Sequence, residues 1–126
     1  MFAYLKLSGN IIGDKGAATI SNFLRTNDKI VHVDLASNNI SNEGFQLLLD
    51  SLCAQNHIVS LDVSSGDSQN NRNRVGAKSA HLLSRYLTNT NILTHLNLSG
   101  SILCKEGHFS LSTGLKNNKS LMYLNL

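Results

Sequence analysis

Apolar positions along this chain switch repeatedly between two periods. In VDLASNNISNEG, residues 33–44, Val33 and Leu35 alternate with polar residues as in a strand half-buried on one face. The FQLLLDSL that follows reads as a helix, with Leu48 and Leu52 one turn apart on a single face. The same switch recurs. Ile20 and Leu24, Leu83 and Leu87, and Leu111 and Leu115 are further i,i+4 pairs, and each pair is followed six residues later by the first apolar position of a new strand: Ile30, Ile58, Leu93 and Leu121. Laying YLKLSGNIIGDKG over HVDLASNNISNEG aligns Leu5 with Val33, Leu7 with Leu35, Asn10 with Asn38, Ile12 with Ile40 and Gly16 with Gly44, an offset of 28 residues. The column that begins at Phe2 continues through Ile30, Ile58, Leu93 and Leu121, with one offset of 35 between Ile58 and Leu93. The pattern predicts a single domain spanning 1–126, with four strand–helix repeats and a fifth strand. No such unit buries its apolar side alone, so stacking on its own copies is expected.

The motif Leu-x-x-Leu-x-Leu-x-x-Asn-x-Ile, with a glycine before an amphipathic helix, resembles the leucine-rich repeat of the ribonuclease-inhibitor type. The resemblance runs through the whole chain and implies an α/β solenoid: a right-handed β/α superhelix with a curved parallel sheet on its concave face and helices on its convex face. It implies a binding scaffold without naming the partner, because the repeat carries many functions. Within that fold Asn10 and Asn38 are placed to satisfy backbone groups where the chain leaves the sheet. Gly16, Gly44 and Gly107 sit where helices start with little room for a side chain. Gly66 and Ser101 are expected to hold the asparagine position in the third and fourth repeats, leaving the ladder less well satisfied there.

Seven extra residues fall within SSGDSQNNRNRVGAKS, the inserted loop 64–79. It carries Arg72, Arg74 and Lys78 and reads either as a surface insertion of small entropic cost or as a recognition loop beside the sheet. It is not a phosphate loop, since Ala77 separates Gly76 from Lys78.

The residues between the core leucines of a parallel sheet face outward. They form one column of Tyr4, His32, Ser60, His95 and Tyr123 and another of Lys6, Asp34, Asp62, Asn97 and Asn125. These ten are the candidate partner-binding residues of the concave face. Lys6, Asp34 and Asp62 are expected to form a row of charges, either a self-contained ion-pair row or an anchor for a basic group on a partner. Tyr4, His32, His95 and Tyr123 are amphipathic groups of the kind that anchor interfaces, or else ordinary exposed strand residues.

Composition narrows the function further. Of 126 residues, 41% are hydrophobic and 15% charged, in the globular range. A net charge of +3 without clustering gives no nucleic-acid footprint, and no apolar run reaches the roughly 18–20 residues that span a bilayer. Cys53 and Cys104 lie too far apart for a CxxC metal or redox motif. A cytoplasmic setting is therefore expected, and Cys53 reads as a small packing residue beside Leu52. His32 and His95 share a column but lie two strands, roughly 10 Å, apart, too far to share one zinc. We expect no catalytic residue, no metal and no cofactor. The expected function is a non-enzymatic scaffold for a protein partner, without nucleic acid or membrane. The resemblance also admits a GTPase-activating or small-GTPase regulatory leucine-rich-repeat protein, although the acidic tail common among those acting on the nuclear-transport GTPase is absent. A structural piece with no specific surface is the third reading. Neither end reads as a polar cap, so self-association or continuation of the repeats beyond a fragment is expected.

Overall fold

The computed structural model describes residues 3–66, 71–101 and 103–126; Phe2, which heads the first apolar column, lies outside them. Strands and helices alternate in chain order: β1 Ala3–Lys6, α1 Gly13–Thr26, β2 Ile30–Asp34, α2 Asn42–Ala54, β3 Ser60–Asp62, α3 Ala77–Asn89, β4 His95–Asn97, α4 Lys105–Asn117 and β5 Tyr123–Asn125. The strands form one parallel sheet in the order β1-β2-β3-β4-β5. Helices pack mainly on their neighbours in sequence, α1 on α2, α2 on α3 and α3 on α4. The result is an α/β leucine-rich-repeat solenoid.

The two apolar periods meet in one seam. From the strands come Val33, Leu61 and Leu96, and from the residues just after them Leu35, Val63 and Leu98; from the helices come Ala17, Ile20, Leu24, Phe45, Leu48, Leu52, Leu83 and Leu87, all buried. Leu7 is only partly buried against this core.

Where each strand turns toward its helix, an asparagine ladder closes the corner. Asn38 Nδ2 donates to Leu7 O (2.8 Å) and Ala36 O (3.1 Å), while its Oδ1 accepts from Asn10 N (3.0 Å). Asn10, at the first corner, is exposed, and its side-chain Nδ2 donates within its own turn, to Leu7 O and Ser8 O.

The third rung corrects the sequence reading. It is held by Asn73, not Gly66. Asn73 is 0% exposed; its Nδ2 donates to Leu35 O (2.9 Å), Val63 O (3.1 Å) and Ser64 O (3.3 Å), and its Oδ1 accepts from Asn38 N (3.2 Å) and Ile40 N (3.0 Å). The insertion thus ends before the asparagine, and the span 64–79 is too wide. Val75 takes the buried place of Ile40, Ser79 is buried where Gly44 stands one repeat earlier, and α3 has already begun at Ala77. Ser101 does hold the fourth rung, donating from Oγ to Val63 O (2.9 Å). The amide of Asn73, which a fourth asparagine would have served, donates instead to Ser65 Oγ (2.8 Å).

A second set of corners, from helix back to strand, escaped the sequence reading. Asn27 Oδ1 accepts from Lys29 N and Ile30 N, Thr90 Oγ1 from Ile92 N and Leu93 N, and Asn118 Oδ1 from Ser120 N and Leu121 N. At the start of α2, Ser41 Oγ accepts from Glu43 N (3.2 Å). Hydrogen bonding to the Ser41 hydroxyl holds the Glu43 carboxyl below its ordinary pKa.

One corner carries strain. Ile11 sits at φ 51°, in the left-handed region where a β-branched side chain crowds the backbone. Asn39 holds the equivalent place at φ 55°, and asparagine tolerates it. Ile11 is 61% exposed, so little burial is at stake. Ile11→Asn is expected to stabilise the fold by about 1 kcal/mol, read as a rise in the urea midpoint; an unchanged or lower midpoint would contradict the strain.

Candidate protein-interaction surface

The parallel register brings all ten candidate residues of the sheet face into two rows. Tyr4 pairs with His32, His32 with Ser60, Ser60 with His95 and His95 with Tyr123. Lys6, Asp34, Asp62, Asn97 and Asn125 run alongside in the same order. Every second residue of each strand points into the seam, so these side chains are left on the open face.

Stacking organises the aromatic row. Tyr4 and His32 lie with ring centroids 4.2 Å apart and planes 10° from parallel; His95 and Tyr123 lie 5.7 Å apart at 23°. Ser60 separates the two stacks, so the row is two flat aromatic shelves around a small polar gap. Tyr4 remains 63% and Tyr123 49% exposed, so each shelf still offers about half a ring or more to a partner. His95 Nδ1 lies 2.8 Å from Thr94 Oγ1, which fixes the ring's edge.

The charged row does not form the ion-pair ladder that was one of its two expected forms. The Lys6 ammonium sits 5.6 Å from the centroid of its own strand's Tyr4 ring, a cation–π arrangement. Among the described residues the one salt bridge is between Asp28 and Lys29, at 3.4 Å. The carboxylates are turned along their own strands instead. Asp34 Oδ1 accepts from Ala36 N (3.0 Å), and Asp62 Oδ1 from Ser64 N (2.9 Å) and Ser64 Oγ (2.6 Å). Asn97 Nδ2 donates to Asp62 Oδ2 (3.1 Å), and Asn97 Oδ1 accepts from Ser99 N (3.1 Å). These bonds fix the carboxylates without neutralising them. Tyr4, Lys6, His32, Asp34, Ser60 and Asp62 line a shallow depression of about 220 Å³.

The three basic residues assigned to the insertion do not stand together on a loop. Arg72 is half-buried, its Nε enclosed and without a partner among the described residues. Arg74 is exposed, its backbone amide donating to Ile40 O (2.8 Å). Lys78 belongs to the first turn of α3, not to the loop. Cys53 is also corrected: it is exposed rather than packed, because it follows Leu52 and so lies off the buried stripe. Among the described residues no three His, Cys, Asp or Glu side chains gather as metal ligands, and no helix is long and apolar enough to cross a membrane.

Comparison with known proteins agrees with this geometry. A family profile described as Leucine Rich repeat matches residues 3–21 and 26–49. Among solved structures, Leiomodin-1 Actin-Binding Site 2 superposes with a TM-score of 0.82 at 20% identity, over 97% of this chain and 68% of that one. The tropomodulin C-terminal domain from Caenorhabditis elegans superposes with a TM-score of 0.81 at 13% identity, over 99% of this chain and 73% of that one. A search of curated proteins gave no match. The chain has the leucine-rich-repeat fold, and a leucine-rich-repeat profile matches its first two repeats.

Proposed function

We propose that the chain is a non-enzymatic protein-interaction scaffold of the ribonuclease-inhibitor-like type, which engages its partner through the open face of the sheet. The observation that carries this is the pair of exposed aromatic shelves, Tyr4–His32 and His95–Tyr123, set beside carboxylates that no cation among the described residues pairs with. Rigid stacked rings lose little conformational freedom on binding, and such groups dominate interface energies. Actin is the first partner to test, because one structural neighbour is itself an actin-binding site. The GTPase-regulatory reading rests on the repeat resemblance alone.

Co-sedimentation with filamentous actin is the direct assay. The double variant Tyr4→Ala with His32→Ala is expected to weaken binding about tenfold or more with little change in melting temperature, since Tyr4 is exposed and His32 half-buried on the open face, outside the core. Phe109→Ala, on exposed α4, serves as the control. If both variants bind like the parent, the sheet face is not the interface; if the parent does not sediment, actin is not the partner.

A further inference from the structure

The aromatic row on the open face is a stack with its middle member missing. Tyr4, His32, Ser60, His95 and Tyr123 stand in register on successive strands, and Ser60 alone among them carries no ring. Tyr4 stacks on one face of His32, and Tyr123 on one face of His95. The other faces of the two imidazoles therefore look toward each other across Ser60, whose side chain is too short to cover either. Neighbouring strands lie about 4.8 Å apart, so these faces are roughly 10 Å from each other. A planar group midway would meet each imidazole at a spacing between the 4.2 Å and 5.7 Å that the two shelves already show. The slot is one flat group wide. Thr94 Oγ1, 2.8 Å from His95 Nδ1, steadies its far wall.

Charge narrows what the flat group is. Asp34 and Asp62 lie two residues along the same strands from His32 and Ser60, and all four line the depression on the sheet face. The two carboxylates also oppose each other in register, an arrangement that destabilises a sheet. The fold does not compensate for it. Lys6, the neighbour of Asp34 in the row, sits over Tyr4 and, among the described residues, makes a salt bridge with neither. The hydrogen bonds the carboxylates accept come from Ala36, Ser64 and Asn97, all neutral donors. A phenyl or indole ring would fill the slot but would shield both carboxylates from water without pairing them, which is unfavourable. An ammonium would pair with them but has no flat face to stack. A guanidinium does both, since it stacks on aromatic rings and donates to carboxylates in its own plane. Ser60 Oγ adds a further acceptor at the floor.

We propose that the slot over Ser60 takes an arginine side chain of the protein partner, sandwiched between His32 and His95 with its in-plane hydrogens directed to Asp62 and Asp34. This rests on the sheet face being the interface and adds the chemistry of the group that enters it.

A blocked tripeptide with arginine between two glycines is the probe, titrated into the protein and followed by NMR at the histidine rings. It is expected to shift His32 and His95 together and saturably at millimolar concentration, while His81 and His108, on α3 and α4, stay in place. Replacing its arginine with citrulline keeps the plane and loses the charge; lysine keeps the charge and loses the plane. Each is expected to bind about tenfold more weakly. Ser60→Phe supplies the missing ring and is expected to abolish the shift. Asp34→Asn keeps the acceptor for Ala36 N and removes only the charge, so it should weaken binding about tenfold with the circular dichroism spectrum intact. No saturable shift at His32 and His95, or undiminished binding by Asp34→Asn or by folded Ser60→Phe, would overturn the slot. A citrulline, lysine or tryptophan peptide binding as well as the arginine one would overturn the arginine assignment. The titration needs no partner protein, so failure here leaves the sedimentation of the Tyr4→Ala, His32→Ala variant to judge the sheet face separately.

Discussion

Replacing Asn73 with alanine is expected to lower the unfolding free energy by about 4 kcal/mol, because a buried group stripped of its partner costs roughly 1–3 kcal/mol. The substitution deprives the amides of Asn38 and Ile40 of their acceptor and the carbonyl of Leu35 of a donor, at a site with no exposure. Val63 O is hit less hard, since Ser101 Oγ also donates to it. That difference sets up a graded series. Asn73→Ser should restore part of the loss, as Ser101 performs the donor half of the same task one repeat on. Asn73→Asp should not, because it keeps the acceptor, loses the amide donor and buries a charge. Urea unfolding at equal m-value measures the set. A loss below about 1 kcal/mol for alanine would mean the corner relaxes and finds other partners.

The second large effect is expected at Gly114, where α4 crosses α3. A Cβ there would stand 2.7 Å from both Cα and the carbonyl oxygen of Ser84 and 2.9 Å from its Oγ. Two of these atoms are backbone, so no rotamer change clears the way, and carbon contacts settle at about 3.5–4.0 Å. α4 must therefore move away from α3, opening the packing around Leu111, Leu83 and Leu87. Gly114→Ala is expected to cost about 3 kcal/mol, the upper end for overpacking. Gly107→Ala is the control on the same helix. Its added Cβ would meet only side-chain atoms, Ala80 Cβ and Leu103 Cδ2 at 3.3 Å and Cys104 Sγ at 3.6 Å, and should cost below about 1 kcal/mol. Equal thermal melts for the two variants would refute the close approach.

The repeat was legible because burial imposes one period on strands and another on helices, and each column shows the same apolar type at a fixed offset. Leu35, Val63 and Leu98 are buried for that reason. The error at the third rung came from where the extra residues were placed. The offset of 35 that carries Ile58 to Leu93 also carries Asn38 to Asn73 and Ile40 to Val75, so the signal was present, but it required putting the insertion before the asparagine rather than after it. Other features lie outside any column. Whether Lys6 reaches Asp34 or settles over Tyr4 depends on a rotamer choice between weak surface interactions, and spacing does not decide it.

Asn73 has a further consequence through its backbone. Its amide donates to Ser65 Oγ, and the same Oγ donates to Asn73 O at 3.3 Å. The two flanks of the insertion are thereby buckled together by atoms that belong to neither the sheet nor the stretch between them. An engineer altering the length of the insertion would leave that clasp in place, but would have to keep the bonds from Gly66 N to Ser37 Oγ and from Asn39 N to Asn71 O that tie the same flanks to the second repeat.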